Sequence, residues 1–498
     1  MIDETNDAMP VVLTAEPVVL SALPALPRGH SLIAWVLIIG LVVFSVVLQR
    51  HRSEKRDEHQ EASGTNPIMV LQGRLLVGAK ALADTYGDKT AASMLQGQIE
   101  ALDTGPIENR LCYIVLVGEL VGPDAASKQI QSLQTVISRY HLKLTADQQR
   151  LLKILTKLYV TYQKGRYEDA VPEADRQFLE AKLLWFGALA LAPGDGADQA
   201  LRNTVLEPAE RTTVAFGCAI VVGGLLMIGG LFGLIFVIVY GLAPKSRTDN
   251  RPLPHAGVYA ETFAIWLAAF WALNLAVPYV AAGKSTLLVN GLLDLASLVV
   301  LAWPVLRGIP WRQVRQDIGL VRGPRGWLEP LIGLGCYAMS LPLLALGLAT
   351  VIALMHLQSR LSGSPSQAEF GLGSQPSHPI VGIAAGADVW GKLQVLLLAC
   401  VIAPFLEETM FRGVLYRNLR GSTIWLGYGL SVFFSATAVS FIFAVIHPQG
   451  IIFVPVLMSL AYGFALAREW RGTLIPGMVA HGFSNGVVMM LIMLGTSG

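Results

Sequence analysis

The sequence predicts an all-α protein: a polytopic membrane helix bundle of about eight spans, preceded by a single N-terminal span and a helical soluble domain. Three observations predict it. Of 498 residues, 53% are hydrophobic and only 14% charged, against roughly 25% charged in an average soluble domain. The deficit is clustered: residues 31–48, 213–243, 262–283, 330–355, 421–446, 448–467 and 482–498 contain no Asp, Glu, Lys or Arg. Between the first two of those runs, apolar residues instead recur at helical spacing, as in Leu151, Leu152, Ile154, Leu155, Leu158 and Tyr159. An apolar run of about 18 residues crosses a hydrocarbon core as a helix, which satisfies its own backbone where lipid cannot.

The elements follow in order. Residues 1–30 form an acidic, Pro-rich tail. The run at 31–49 is long, is followed by Arg50, Arg52, Lys55 and Arg56, and shows no small-residue cleavage site. It reads as a retained first span and not a signal peptide. Residues 50–212 read as about six helices, with starts at Pro123-Asp124 and Thr145-Ala146-Asp147 and breaks at Gly165 and Gly194. Residues 213–256 hold the second span and its connection, and 257–498 the rest of the bundle. Spans are expected near 213–243, 260–281, 285–306, 329–356, 390–416, 424–446, 450–467 and 474–494. Residues 357–388, rich in Ser, Gly and Pro, read as an irregular exposed connection.

Basic residues set an orientation. Lys245, Arg247 and Arg251 follow one span; Arg307, Arg312, Arg315, Arg322 and Arg325 fill another connection; Arg412, Arg417, Arg420, Arg468 and Arg471 are assigned to later connections of the same parity. Placing these in the cytoplasm puts the N-terminus inside and both 50–212 and the C-terminus outside. The expected location is multi-pass, in a bacterial plasma membrane. A net charge of +2 implies no nucleic-acid partner. The four cysteines, Cys112, Cys218, Cys336 and Cys400, have no paired spacing, so neither a zinc ribbon nor a disulfide framework is indicated.

Glu407 and Glu408 end the uncharged run Leu393–Leu406. A carboxylate at the centre of a spanning helix costs roughly 2.5–3.5 kcal/mol, so two need a reason. The bland reason is that the helix ends there in water. Against it, Thr409-Met410-Phe411 and Gly413-Val414-Leu415-Tyr416 keep the segment apolar. Arg412, four residues after Glu408, shares its face and can pair with it, which leaves Glu407 pointing elsewhere. His447 closes the run Phe441–Ile446 and precedes Pro448, which biases it off helical geometry. His481 and Asn485, four residues apart, share one face of a late span. Singly, such residues serve as glue between helices. Together with Glu407 they are three spans each donating a costly polar group, and such groups usually face one interior cavity.

Glu407-Glu408-Thr-Met-Phe-Arg412, then Phe443-Ala-Val-Ile-His447, then His481-Gly-Phe-Ser-Asn485 resembles the three ordered motifs of the CPBP family. That family comprises type II CAAX prenyl proteases and bacteriocin-processing, Abi-like membrane proteins. The resemblance covers about 385–498 tightly and the spans from about 255 loosely, and does not reach 1–250. It implies peptide-bond hydrolysis within the membrane, on a membrane-delivered or lipidated peptide or protein substrate. Glu407 would be the general base, His447 would orient the water, and His481 and Asn485 would stabilise the oxyanion, with Glu408, Arg412 and Phe443 as structural support. The chemistry is sound from below, since a carboxylate withdrawn from water is a better base. A donor pair aimed at an oxyanion is often worth several kcal/mol. The resemblance leaves two options for cofactors: zinc on Glu407, His447 and His481, or a metal-free glutamate mechanism. Zinc catalysis usually takes three protein ligands and an open position, and no His-Glu-x-x-His helix is present to set that geometry.

One geometric demand follows. With Glu407 near the inner end of its helix, His447 lies about 39 Å beyond Gly421 at 1.5 Å per residue, on the opposite face of the membrane. A shared site therefore requires Gly421–Gly429 to be interfacial or broken. The rival of another class is an inactive scaffold or immunity protein that retains the fold and binds a protein partner through residues 50–212. A transporter is disfavoured, because no repeat of interrupted helices is visible.

Overall fold

The computed structural model describes residues 29–60, 67–87, 99–100, 102–103, 106–167, 171–196, 198–242, 253, 255–281, 286–362 and 387–496. Among them there is no strand, and nine helices are long and apolar enough to cross a membrane. They are Ser31–His51, Gln199–Leu242, Ala256–Val280, Thr286–Leu306, Gly326–Leu357, Val389–Leu426, Tyr428–Val445, Ile451–Arg471 and Ile475–Gly495, here the first to ninth spans. The protein is a polytopic helical membrane protein, as the hydropathy pattern predicts. The tail at 1–28, Lys245, Arg247, Arg251 and residues 363–386 of the expected connection lie outside the described residues. The helix of the fifth span itself runs on to Ser362.

Two span ends differ from expectation in ways that matter. The second span starts at Gln199, not 213. Asp198 caps its helix by accepting from Leu201 N at 2.9 Å, and no break follows before Phe236, despite Pro208. Its first turns belong to the core of the preceding region, where Val205 and Ala209 are buried. The sixth span runs to Leu426 and not to 416. The connection to the seventh is then a single glycine, Gly427, whose φ of +83° is a conformation that suits glycine. The stretch expected to break does so there, and the next helix starts at Tyr428.

Among the described residues, six helices lie between the first two spans: Pro67–Thr85, Ile107–Leu120, Pro123–Arg139, Ala146–Tyr162, Glu173–Leu183 and Trp185–Leu191. Pro123 opens its helix in the first turn. Thr145 and Gln148 form a reciprocal capping box, with N–H to oxygen distances of 3.2 and 2.8 Å. Gly165 leaves the Ala146–Tyr162 helix at φ +66°. Leu111, Leu155, Leu158, Leu179, Leu183 and Phe186 are fully buried in one shared core.

The bundle packs differently. Water drives no apolar association inside lipid, so small residues that let backbones approach do much of the work. A Cβ on Gly463 would strike the Ser340 hydroxyl, one on Gly347 the Ser459 side chain, and one on Gly333 would come within 2.7 Å of Val479. These contacts join the fifth span to the eighth and ninth. Phe263, Trp266, Phe411 and Phe443 interlock edge to face across the third, sixth and seventh spans.

The longer sixth span also corrects the reading of its basic residues. Arg412, Arg417 and Arg420 are helical, not in a connection, and each faces a carboxylate. Arg412 pairs with Glu408 at 2.9 Å, Arg417 with Asp317 at 3.2 Å and Arg420 with Glu469 at 3.2 Å. Arg471, at the end of the eighth span, pairs with Glu329 at 2.6 Å.

Candidate active site

The sixth span is an α-helix interrupted twice by π-helical turns, Leu398–Ile402 and Glu408–Leu415. Such turns are rare and are often found at functional sites. The first has a local cause. Ala403 N–H bonds Leu398 O, five residues back, and in that register the next carbonyl, Ala399 O, would need a donor from Pro404, which has none. Asn485 of the ninth span supplies it, donating Nδ2–H to Ala399 O at 2.8 Å. The approach is close, because a Cβ on Gly482 would collide with the Cys400 carbonyl.

Glu407 stands about 27 Å beyond Val389 and about 28 Å short of Leu426 at 1.5 Å per residue, in the middle of the helix and not near its inner end. The chain runs down from Glu407 to Gly427 and returns along the 18-residue helix Tyr428–Val445, about 27 Å in length. The two legs match, and His447 comes back to the level of Glu407. The imidazole Nε2 of His447 lies 3.9 Å from Glu407 Oε2, and that of His481 lies 3.6 Å from the same oxygen. Glu407 and His447 are only partly withdrawn, at 23% and 18% exposure, and His481 is buried.

Both rings are held from behind. His447 Nδ1 faces Phe443 O at 2.6 Å, one turn back in its own helix, and its ring packs on Phe443 with centroids 4.2 Å apart. His481 Nδ1 faces Glu408 Oε1 at 3.0 Å, and its ring stacks on Phe464 at 5.3 Å. Acceptors on both Nδ1 atoms turn both Nε2 atoms toward Glu407. Glu408 and Arg412 are fully buried; Arg412 also donates to Ala461 O at 3.2 Å and lies 4.4 Å over the Phe443 ring. The sequence motifs thus converge: Glu407, His447 and His481 face one another, Asn485 is fixed one turn beyond His481, and Glu408, Arg412 and Phe443 stand behind.

Two neighbours escaped the sequence reading. Phe464 lies in an apolar run with nothing to single it out. Asp294 of the fourth span is buried, accepts from Asn274 at 3.2 Å and Asn290 at 3.1 Å, and lies within electrostatic range of Glu407. Its signal was legible as Asn290 and Asp294, four apart in a run of aliphatic residues.

The zinc option would draw on Glu407, His447 and His481. The two Nε2 atoms and the carboxylate are the right donor types, with Nδ1 partners of the kind metal-bound imidazoles have. Yet among the described residues no group of three His, Cys, Asp or Glu is arranged to hold a metal ion.

The bundle thus gathers one carboxylate and two imidazoles in its interior, each on a different span or span end. The family is given by comparison. Residues 389–487 match the family described as type II CAAX prenyl endopeptidase Rce1-like. The match bears out the resemblance of this C-terminal region to the CPBP family of intramembrane proteases. The match covers a minor part of the chain and leaves the first five spans and the helices between the first two outside it. No curated protein and no solved structure matches the chain.

Proposed function

We propose that the protein is a CAAX-type intramembrane endopeptidase that hydrolyses a peptide bond of a lipidated or membrane-delivered substrate with water activated by Glu407. The observation that carries this reading is the shared approach of two Nε2 atoms to Glu407 Oε2, at 3.6 and 3.9 Å. These gaps are longer than direct hydrogen bonds and suit a water or a reacting carbonyl that touches all three groups. Glu407 takes a proton from that water as its oxygen attacks the scissile carbonyl, and returns the proton to the departing amine. His447, with Nδ1 spent on Phe443 O, orients the water through Nε2. His481 donates to the developing oxyanion from an Nε2–H, which requires the imidazolium form because its Nδ1–H is held by the Glu408 carboxylate. One N–H of Asn485 is committed to Ala399 O, which fixes the amide plane; the second remains to donate.

The test uses the full chain in liposomes with a prenylated C-terminal peptide and its unprenylated twin, for wild type and Glu407→Gln. Expected is cleavage of the prenylated peptide by wild type alone, with oxygen from labelled water in the new carboxyl terminus. Equal cleavage by Glu407→Gln, in protein purified away from host proteases, would sink the assignment.

A further inference from the structure

The seventh-span helix ends one residue before Ile446, and the last carbonyls of a helix lack intrahelical partners. The chain that follows, His447-Pro448-Gln449-Gly450, offers little help: Pro448 has no N–H and Gly450 turns away at φ +84°. The carbonyl at Ile446 nevertheless has a donor. Gln49 Nε2 of the first span reaches it across 397 residues of sequence. Ile446 C=O and His447 N–H belong to the same planar peptide unit, and that N–H bonds Ala444 O at 3.3 Å. The plane is therefore held at both ends. With the Nδ1 contact to Phe443 O, His447 is fixed at backbone and ring together.

Gln49 is itself held in place. The far end of its span is anchored where His30 N–H meets the Glu261 carboxylate and where Trp35 Nε1 donates to Asn418 Oδ1 at 3.2 Å. Asn418 is buried and donates to Ala256 O at 2.8 Å. Ile38 is fully buried between these ends. The span is thus seated against the third and sixth spans, and its last turn delivers the amide to the His447 loop.

We infer that Gln49 is a positioning residue for His447, so that the first span, outside the family match, is a working part of the active site. The inference rests on the protease reading for its kinetic readout but not for its structural one. The test compares full-length wild type, Gln49→Met, which keeps the reach and loses the donor, and Gln49→Lys, which restores an N–H. Two measurements are made: kcat and KM on the prenylated peptide, and diethylpyrocarbonate modification of His447 relative to His481, read by mass spectrometry without substrate. Losing one neutral hydrogen bond predicts a fall in kcat of about fivefold to tenfold for Gln49→Met, with KM within about twofold. His447 should modify about threefold faster relative to His481, with the melting temperature lowered by no more than a few degrees, as losing a bond of about 1 kcal/mol implies, and Gln49→Lys near wild type. An unchanged modification ratio in Gln49→Met overturns the inference, whatever kcat does. Absence of cleavage by wild type defeats the protease reading alone, since the modification ratio still decides Gln49.

Discussion

On one side of the sixth span Glu407 keeps 23% of its side chain exposed, with imidazole nitrogens at 3.6 and 3.9 Å. On the other, Glu408 is fully buried, with Arg412 at 2.9 Å and His481 at 3.0 Å. The two carboxylates are consecutive in sequence, and a π-helical turn begins between them. Their difference separates two jobs a polar group can do inside a membrane. A bracing group has its charge met at close range, because an unmet charge in low dielectric is costly. A reacting group must keep part of its coordination open, because the partner it waits for is water or substrate. His481 touches both, with one nitrogen on each side.

The comparison is broken most directly at Glu407. Glu407→Gln should lower kcat by about 10³-fold or more, the scale lost when a group that acts in the transition state is removed. Its melting temperature should stay within a few degrees, because no close partner is lost; a large drop would assign Glu407 to the brace. Arg412→Met should do the reverse. It leaves Glu408 buried and uncompensated, at a cost of about 3–5 kcal/mol, read as loss of folded protein in detergent before any kinetic effect is measured. The pair Glu408→Gln with Arg412→Met should recover much of that stability, since removing both charges can be nearly neutral. Asn485→Leu sharpens the boundary between the two jobs. An oxyanion donor is worth about 10²-fold or more in kcat, and the lost bond to Ala399 O adds about 1 kcal/mol of destabilisation. A variant that loses stability and keeps kcat would make Asn485 a helix clamp only.

The sequence carried the site further than it carried the packing. Glu407, His447, His481 and Asn485 were legible because each costs energy in an apolar run, so their spacing and residue type point to a common interior. The number of spans was legible for the same reason. Where the sixth span ends was not, because Arg417, Arg420 and Asn418 read as a polar connection. Only the carboxylates of Asp317 and Glu469, brought in from distant segments, make a helix affordable there. The gripping of Ala399 O by Asn485 needed the π register before Pro404, which no local pattern announces. Phe464 and Gln49 were invisible for a related reason: their partners are 17 and 397 residues away, and an ordinary Phe or Gln carries no sign of what it will meet.

Asp317 extends the comparison to a third carboxylate, outside the spans. It receives His255 Nε2 at 2.9 Å, Tyr259 Oη at 2.8 Å and Arg417 at 3.2 Å. Burial alone would push its carboxyl up, but the His255 hydrogen bond, the Arg417 charge and the Tyr259 hydroxyl outweigh it and hold the group below the usual carboxylate range. A carboxylate depressed on folding contributes stability that is fully present above its unfolded value, about 3.9 for Asp, and is lost as pH falls through the depressed native value. Asp317→Asn should therefore cost about 1.5–3 kcal/mol at neutral pH, the worth of hydrogen bonds to a charged group. The gap between variant and wild type should shrink on acidification below the ordinary carboxylate range, measured as melting temperature against pH. Cleavage per folded molecule should stay at wild type, since Asp317 braces the junction of the third and sixth spans and touches none of the reacting groups. A gap that widens in acid would mean the native carboxyl is raised and not depressed, so that burial outweighs the partners and Asp317 is not braced by them.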